Sequence, residues 1–289
     1  MVRKITRLIY SGLIAAILAA CAIFIILFFQ KRTYMDMQNA VLPGIDSVSS
    51  QQWHSLGRKK IFFAHMSVGY NILDGVKSVL GENNVAPLEI IETSAPIEFQ
   101  RPGLYHALLG FNAQPFEKLK SFENLLGSAK TAPDIALMKL CYVDITAGAD
   151  VQRLFDAYRA AIVRLQERLP QTLFLHCTVP LTSEPLNLKE QIKQCIRPFL
   201  GRTVRIDDNI ARMQFNRMLR EVWPSESIYD IAAAESANAA GFLRCKKTTQ
   251  GLVSFLRKEF TSDGGHLNAR GAKQAGTQLL IALAKSLSD

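Results

Sequence analysis

The sequence predicts an α/β fold. We expect a single three-layer domain with a mostly parallel sheet of about five strands, preceded by one N-terminal transmembrane helix. Two patterns support this prediction. From about residue 58 onward, short apolar runs typical of strands alternate with longer amphipathic runs typical of helices, and such alternation favours a parallel sheet with helices on both faces. Before that point, residues 8–29 contain no charged side chain, as a membrane span requires.

The uncharged segment 8–29 is long enough to cross a bilayer. At 1.5 Å per residue, it spans about 33 Å as a helix, and it is longer than the apolar core of a typical cleaved signal sequence. Residues 18–21 resemble a bacterial lipoprotein processing site that ends at Cys21. Because eight more apolar residues follow that cysteine, an uncleaved anchor is the better interpretation.

Basic side chains flank the span, three before it and two after it. This small excess favours a cytoplasmic N-terminus. We therefore expect a single-pass protein of the inner cell membrane, with its large domain on the periplasmic or extracytoplasmic side. On this interpretation the chain divides into a cytoplasmic stub with the anchor (1–33), a tether (34–57) and an α/β domain (58–289).

The charge of the chain argues against nucleic acid as a partner. The formal net charge is +9, but setting aside the five basic residues beside the span leaves 29 basic against 25 acidic side chains. That excess is too small to indicate nucleic-acid binding. Six arginines do recur between positions 197 and 220. A solvated helix face explains such a run, and contact with an anionic substrate or lipid headgroup is the alternative.

The predicted elements follow one another in regular order. Strand-like runs, short and rich in apolar residues, occupy 60–64, 88–92, 134–142, 173–177 and 227–231. Helical periodicity occupies 71–80, 114–126, 151–169, 209–222 and 269–287, the last with Asn268 as its cap. In sheets of this kind, functional side chains gather in the loops that follow the carboxyl ends of the strands.

Ser67 lies where the first predicted strand gives way to a helix. A serine in that position presents its hydroxyl at the sheet edge, and its N–H group points into the same space near a helix N-terminus. One residue thus supplies a nucleophile and one donor to an oxyanion. Taken alone, Ser67 is better explained as an ordinary helix-capping serine.

Near the C-terminus, Asp263 and His266 are separated by two glycines just before the last helix. A catalytic imidazole needs a carboxylate that fixes its tautomer and stabilises its charged form. The two glycines permit a turn tight enough for one short loop to supply both groups. A surface turn ahead of a helix is the alternative.

Together, the strand–serine–helix opening, the further strands and the Asp-x-x-His sequence resemble the SGNH hydrolases, also called GDSL-type esterases. The resemblance covers about residues 58–289. The first block of that family usually reads Gly-Asp-Ser, whereas this chain has His65, Met66 and Ser67. The resemblance implies a flavodoxin-like sheet, Ser67 as the nucleophile, His266 as its general base and Asp263 as the group that orients His266.

The resemblance also implies an oxyanion hole built from Ser67, a glycine and an asparagine. Gly110 matches the glycine, but Val143 stands where the asparagine is expected. Asn112 is the candidate substitute, and a turn residue is the alternative. Two further polar residues lie near this site in the sequence. Asp144 is interpreted as a helix cap or loop carboxylate, and His65 as a hydrogen-bonded structural histidine. For both residues, a role in lining the pocket is the alternative.

The five cysteines and five histidines show no zinc-type spacing, and the predicted chemistry needs neither a metal nor an organic cofactor. Cys195 and Cys245 are the pair that an oxidising compartment would allow to form a disulfide. The sequence therefore predicts a membrane-anchored serine ester hydrolase acting on an O-acyl ester of a glycan, a lipid or a small molecule. The alternatives are an O-acyltransferase on a cell-envelope glycan and a catalytically inactive binding or assembly domain.

Overall fold

The computed structural model describes residues 12–14, 17, 20–21, 34–38, 42–83 and 88–287. Most of the predicted transmembrane segment 8–29, and with it that prediction, lies outside the described residues. Within the part of the chain that is described, none of the helices combines the length and the apolar character that crossing a bilayer demands.

Six parallel strands form the central sheet of the domain, in the order β3–β4–β2–β5–β6–β7. The α/β class and the parallel sheet are therefore confirmed. The strands are β2 (Lys60–His65), β3 (Ile90–Glu92), β4 (Gly103–Leu108), β5 (Ile135–Met138), β6 (Leu173–Cys177) and β7 (Ile228–Tyr229).

Eight α-helices are resolved between residue 42 and residue 287. They are α1 (Ser50–Leu56), α2 (Val68–Asn83), α3 (Pro115–Gly127), α4 (Val151–Arg168), α5 (Leu188–Ile196), α6 (Arg205–Val222), α7 (Ile231–Ser236) and α8 (Ala269–Lys285). Asn268 caps α8 by accepting a hydrogen bond from the N–H of Gly271.

The sequence prediction of about five strands is one strand short, because it missed β4. This strand reads Gly-Leu-Tyr-His-Ala-Leu, so a glycine and a histidine interrupt the apolar pattern that marks the other strands. In the folded chain, β4 pairs with both β2 and β3 and most of it is buried. The burial of His106 on this strand comes from pairing with segments distant in sequence, which a local pattern does not reveal.

The core lies on both faces of the sheet, and the alternation of side chains along β2 shows the division. Ile61 and Phe63 pack into a cluster with α2 and α8, whereas Phe62 and Ala64 pack into a cluster with α3, α4 and α6. All four side chains are fully buried. A strand buried on both faces reads as a continuous apolar run, which explains why β2 was recognised from the sequence.

A second, antiparallel sheet of three strands was not predicted. It consists of β1 (Tyr34–Gln38), β8 (Phe242–Thr248) and β9 (Gly251–Ser254) in the order β1–β8–β9. Asp36 of β1 forms ion pairs with Arg257 at 3.2 Å and with Arg244 at 3.6 Å. The segment predicted to be a tether therefore contributes a strand and, through α1, a helix to the structure.

The suggested disulfide is absent. Cys195 and Cys245 are both free thiols. Cys245 is buried in β8, where its Sγ lies 3.6 Å from Ser254 Oγ. The structure does not form this pair, which the sequence left open, and the β8–β9 register places Cys245 opposite Ser254 instead.

Helices α2 and α8 run in the same direction and pack backbone against backbone. Near the N-terminal ends of the two helices, the N–H of Leu267 donates to Asn71 Oδ1 at 3.3 Å. Further along both helices, Gly75 lies against Ala272. A Cβ atom added to Gly75 would lie 1.8 Å from the carbonyl oxygen of Ala272, and one added to Gly276 would lie 2.4 Å from the backbone nitrogen of Val76. Glycine at these two positions is thus a requirement of the helix contact.

We expect Gly75→Ala to lower the free energy of unfolding by about 1–3 kcal/mol, because the new methyl group forces the two helix backbones apart. Gly81→Ala is the matched control, since it lies on the exposed part of the same helix and nothing lies within 4 Å of its added Cβ. It should gain up to about 1 kcal/mol from helix propensity. Urea unfolding followed by circular dichroism measures both. Equal effects of the two substitutions would contradict the close packing.

Candidate active site

Ser67 occupies a sharp turn between β2 and α2. Its φ angle is +53°, a left-handed conformation that costs a non-glycine residue about 1–3 kcal/mol. The surrounding hydrogen bonds hold the turn, since the N–H of Gly69 donates to Met66 O at 3.1 Å and the N–H of Tyr70 to Ser67 O at 2.9 Å. The result is a half-buried serine whose hydroxyl stands at the carboxyl edge of the sheet.

The loop before α8 brings the predicted histidine and carboxylate to this serine. Ser67 Oγ lies 2.6 Å from His266 Nε2, and His266 Nδ1 lies 2.6 Å from Asp263 Oδ2. With Nδ1–H donating to the carboxylate, Nε2 is left to accept the serine proton. Three residues separated by up to 199 positions in sequence thus form one chain of hydrogen bonds.

The Asp263 carboxylate is held in its charged form. Its second oxygen accepts hydrogen bonds from the N–H groups of Gly265 and His266, each at 2.8 Å. Burial alone raises the pKa of this carboxyl, but the hydrogen bonds from the imidazole and from the two N–H groups outweigh burial and lower its pKa to about 2. Asp263 therefore remains an anion at neutral pH.

Each glycine between Asp263 and His266 has a specific reason to lack a side chain. Gly264 adopts φ of +89°, and an added Cβ would lie 2.8 Å from the Arg205 guanidinium. A Cβ on Gly265 would lie 2.7 Å from the Tyr142 ring. The tight turn expected from the sequence is present, and close neighbours on both sides of the loop make it necessary.

The candidate oxyanion donors meet at the same edge. His65 of β2 pairs in register with Leu108 of β4, so Ser67 and Gly110 each lie two residues beyond a paired position. Gly110 has a φ of +36°. Among the described residues, no acceptor takes the backbone N–H of Ser67 or of Gly110. These two N–H groups are thus available to an incoming oxygen atom.

A buried ion pair supports the loop that carries Gly110. Lys118 Nζ lies 2.7 Å from Asp144 Oδ2, and both side chains are fully buried. Asp144 also accepts from the N–H of Ala113 at 2.9 Å and from that of Cys141 at 2.6 Å. One carboxylate therefore ties the loop after β4 to the loop after β5. Asp144 itself is buried and ends the short 3₁₀ turn Tyr142–Asp144 that follows β5.

Asn112 is oriented by the same lysine. Lys118 Nζ lies 3.1 Å from Asn112 Oδ1. Because an ammonium group only donates, this contact fixes the carbonyl oxygen of the amide toward Lys118 and leaves the Nδ2 hydrogens for another partner. Asn112 itself is exposed. The arrangement gives the side chain a free donor on the loop of Gly110, as a substitute for the missing asparagine requires.

His65 is buried beneath the serine turn. Its Nε2 lies 3.2 Å from His106 Nδ1, and Nδ1 has no hydrogen-bond partner among the described residues. Burial, with smaller effects of Lys139 and His106, lowers the pKa of His65 to about 3. A Cβ on Gly69 would lie 2.3 Å from the imidazole ring. His65 is a neutral packing residue under the start of α2.

Sequence reasoning missed Lys118 and Tyr142. Lys118 lies one position before Leu119 on α3, and nothing in the periodicity of that helix marks a lysine as buried. The sequence offered one indication of such a lysine: Asp144 is an acidic residue without an assigned partner, and its carboxylate needs a counter-ion. Tyr142 packs edge-on against His266, with ring centroids 6.0 Å apart, and gave no signal beyond its place after a strand.

Comparison with known proteins gives distant likenesses. No family model matches the chain, and no curated protein matches it. A protein from Desulfitobacterium hafniense described as lipolytic and of the G-D-S-L family is 10% identical, with 78% of this chain and 99% of that chain covered and a TM-score of 0.45. A carbohydrate esterase family 3 protein from Talaromyces cellulolyticus is 14% identical, with coverage of 79% and 98% and a TM-score of 0.43.

A third solved structure is the periplasmic domain of a lipopolysaccharide acetyltransferase from Salmonella ser. Paratyphi A. It is 13% identical, with 77% of this chain and 83% of that domain covered and a TM-score of 0.40. Likeness at this distance does not decide an activity, so the chemistry of the site rests on its own residues. Within the described ranges, no group of three histidine, cysteine or acidic side chains is arranged to hold a metal ion.

We expect Lys118→Met to lower the free energy of unfolding by about 3–5 kcal/mol, because the Asp144 carboxylate is then buried without its counter-ion. Lys120→Met is the control on the same helix, where the side chain is exposed and the change should stay within about 0.5 kcal/mol. Denaturant unfolding measures both variants. Adding Asp144→Asn to Lys118→Met should recover part of the loss, and a double variant less stable than the single one would show that charge is not the cause.

Proposed function

We propose that this protein is a serine ester hydrolase of the SGNH type that cleaves an O-acyl ester of a glycan, a lipid or a small molecule. The observation that carries the proposal is the chain of hydrogen bonds from Ser67 through His266 to Asp263, with both contacts at 2.6 Å. A serine in a left-handed turn between a strand and a helix, with an imidazole and an ionised carboxylate behind it, is equipped for nucleophilic acyl transfer.

In the first half of the reaction, His266 Nε2 takes the proton of Ser67 Oγ as this oxygen attacks the ester carbonyl carbon. The N–H groups of Ser67 and Gly110, with Nδ2 of Asn112, stabilise the negative oxygen of the tetrahedral intermediate. His266 then gives its proton to the departing alcohol oxygen as the ester bond breaks. Between these two proton transfers, Asp263 stabilises the imidazolium form of His266. The product of this half is an acyl group bound to Ser67.

In the second half, water attacks the acyl-enzyme and His266 takes its proton, so that the free acid leaves and Ser67 regains its hydrogen. The exposure of the site favours water as the acceptor: the side chains of His266 and Asp263 are 46% and 53% exposed. An O-acyltransferase uses the same first half and differs only when a sugar hydroxyl takes the place of water. The residues that form the acyl-enzyme are the same in both cases.

The proposal places the domain at a membrane through residues 8–29, with the site on the periplasmic or extracytoplasmic side. The uncharged length of that segment and the basic residues before it support this arrangement. The substrates within reach are then acylated glycans and lipids of the cell envelope and small esters that diffuse to it. Neither a metal nor an organic cofactor enters the reaction.

A fluorophosphonate probe tests the nucleophile directly, because it reacts with serines activated by a base. We expect the wild-type protein to be labelled, Ser67→Ala to lose the label completely, and Ser121→Ala, at a half-buried serine of α3, to keep it. Hydrolysis of 4-nitrophenyl acetate should fall by at least about 10³-fold in Ser67→Ala. Folded wild-type protein that takes up no label and cleaves no ester would indicate the inactive binding domain instead.

Asn112→Ala tests the substitute oxyanion donor. If Nδ2 of Asn112 binds the developing oxyanion, kcat should fall about 10²–10³-fold, which is the usual cost of removing one such donor. Gln114→Ala is the control, since Gln114 is exposed on the same loop. Steady-state kinetics with 4-nitrophenyl acetate measure both variants. An unchanged kcat in Asn112→Ala would make this residue a turn residue.

A further inference from the structure

A cavity of about 370 Å³ adjoins the loop that holds Asp263, and Tyr142, whose ring packs against His266, forms part of its wall. Its wall on the site side is formed by Tyr142 and the 263–265 segment, and its opposite wall by α5, the turn that follows it and the start of α6. Charged side chains of both signs lie on these walls, with basic ones in slight excess. Lys193, Arg197, Arg205 and Arg212 line the cavity, against three acidic residues.

The three acidic residues already have partners. Glu190 accepts from Arg205 at 3.1 Å and from the N–H of Leu186 at 2.9 Å. Asp208 accepts from the N–H of Ala147 at 3.0 Å. Asp263 is the carboxylate that binds His266. These hydrogen bonds hold the carboxylates in place but do not remove their charge, so the formal charge of the lining is +1, from four basic and three acidic side chains.

Arg212 is ion-paired with Asp208, and the remaining positive charge comes from two residues of the outer wall. Arg212 is 2% exposed and donates to four oxygen atoms, and its nearest carboxylate oxygen, on Asp208, is 4.0 Å away. Burial lowers the pKa of Arg212 to about 10, so it remains cationic at neutral pH. Lys193 and Arg197 have no acidic partner within 4.0 Å among the described residues.

Arg197 is held in position for an oxyanion. Its Nε donates to the carbonyl oxygen of Thr203. This hydrogen bond fixes the guanidinium plane and leaves both terminal nitrogens able to donate to other partners. A guanidinium oriented in this way binds two oxygens of a carboxylate or phosphate at once. Gln194 contributes similarly, because its Oε1 accepts from the N–H of Arg205 at 3.0 Å and its Nε2 remains a donor.

We infer that this cavity binds an anionic group, a carboxylate or a phosphate, on the substrate whose ester is cleaved at Ser67. The inference rests on the proposed function for the ester and adds the class of substrate. Tyr142 separates the two positions: the anionic group lies beside Arg197 and Lys193, and the ester lies beside His266. A substrate that carries both an acyl ester and a negatively charged group contacts the cavity and the serine at the same time.

Isothermal titration calorimetry at constant ionic strength tests the cavity, with inorganic phosphate and with glucuronate as the two probes. The full-length protein should bind at least one of them, and the probe that binds identifies the source of the charge. In the double variant Lys193→Gln/Arg197→Gln, the affinity should fall at least 10-fold. Arg217→Gln is the matched control, since Arg217 is exposed on α6 and pairs with Glu221, and it should bind as the wild type does.

Ser67→Ala separates this inference from the proposed function, because it removes the nucleophile and leaves the cavity untouched. It should bind phosphate or glucuronate with wild-type affinity. If neither probe binds the wild-type protein, or if the double variant and the wild type bind equally, the anionic subsite is overturned whatever the outcome of the ester assays. Circular dichroism of the double variant shows whether it is folded, and Lys193→Gln alone, at an exposed position, provides a milder test with the same expected direction.

Discussion

The parallel packing of α2 against α8 is the constraint on which the site depends. Ser67 lies directly before α2, and His266 lies shortly before α8, so the two side chains meet only when the N-terminal ends of these helices lie side by side. Gly75 and Gly276 make that possible, because each allows one helix backbone to touch the other. The same arrangement brings two helix N-termini to the serine, and their partial positive charge favours an anion there. Helix packing thus sets both the geometry and part of the electrostatics.

A second constraint acts on the other side of the serine. A single buried carboxylate, Asp144, binds a backbone N–H from the loop after β4 and another from the loop after β5. Burying that carboxylate is costly unless a cation neutralises it, and Lys118 does so from α3. Because the same lysine contacts Asn112, the stability of this part of the fold and the orientation of a candidate oxyanion donor depend on one ammonium group.

The chemistry at the edge of the sheet is divided by Tyr142. On one side lie the serine, the imidazole and the N–H groups of Ser67 and Gly110, an arrangement suited to acyl transfer. On the other side lies a cavity whose fixed cations are incompletely balanced by carboxylates. Arg205 contacts Glu190 on the cavity wall and lies beside Gly264 in the loop between Asp263 and His266. The two regions therefore share a wall.

The sequence by itself determined the features that are local: the apolar run of β2, the serine that follows it, the Asp-x-x-His spacing before the last helix and most of the helices. Each depends on residues adjacent in the chain. It did not determine β4, whose burial comes from two neighbouring strands, nor the three-stranded sheet, which joins residues about 200 positions apart. The interior position of Lys118, the neutral state of His65 and the grouping of arginines around one cavity were likewise decided by tertiary structure. Whether a polar side chain is buried, and what it meets there, depends on contacts between distant segments, and those contacts exist only in the folded chain.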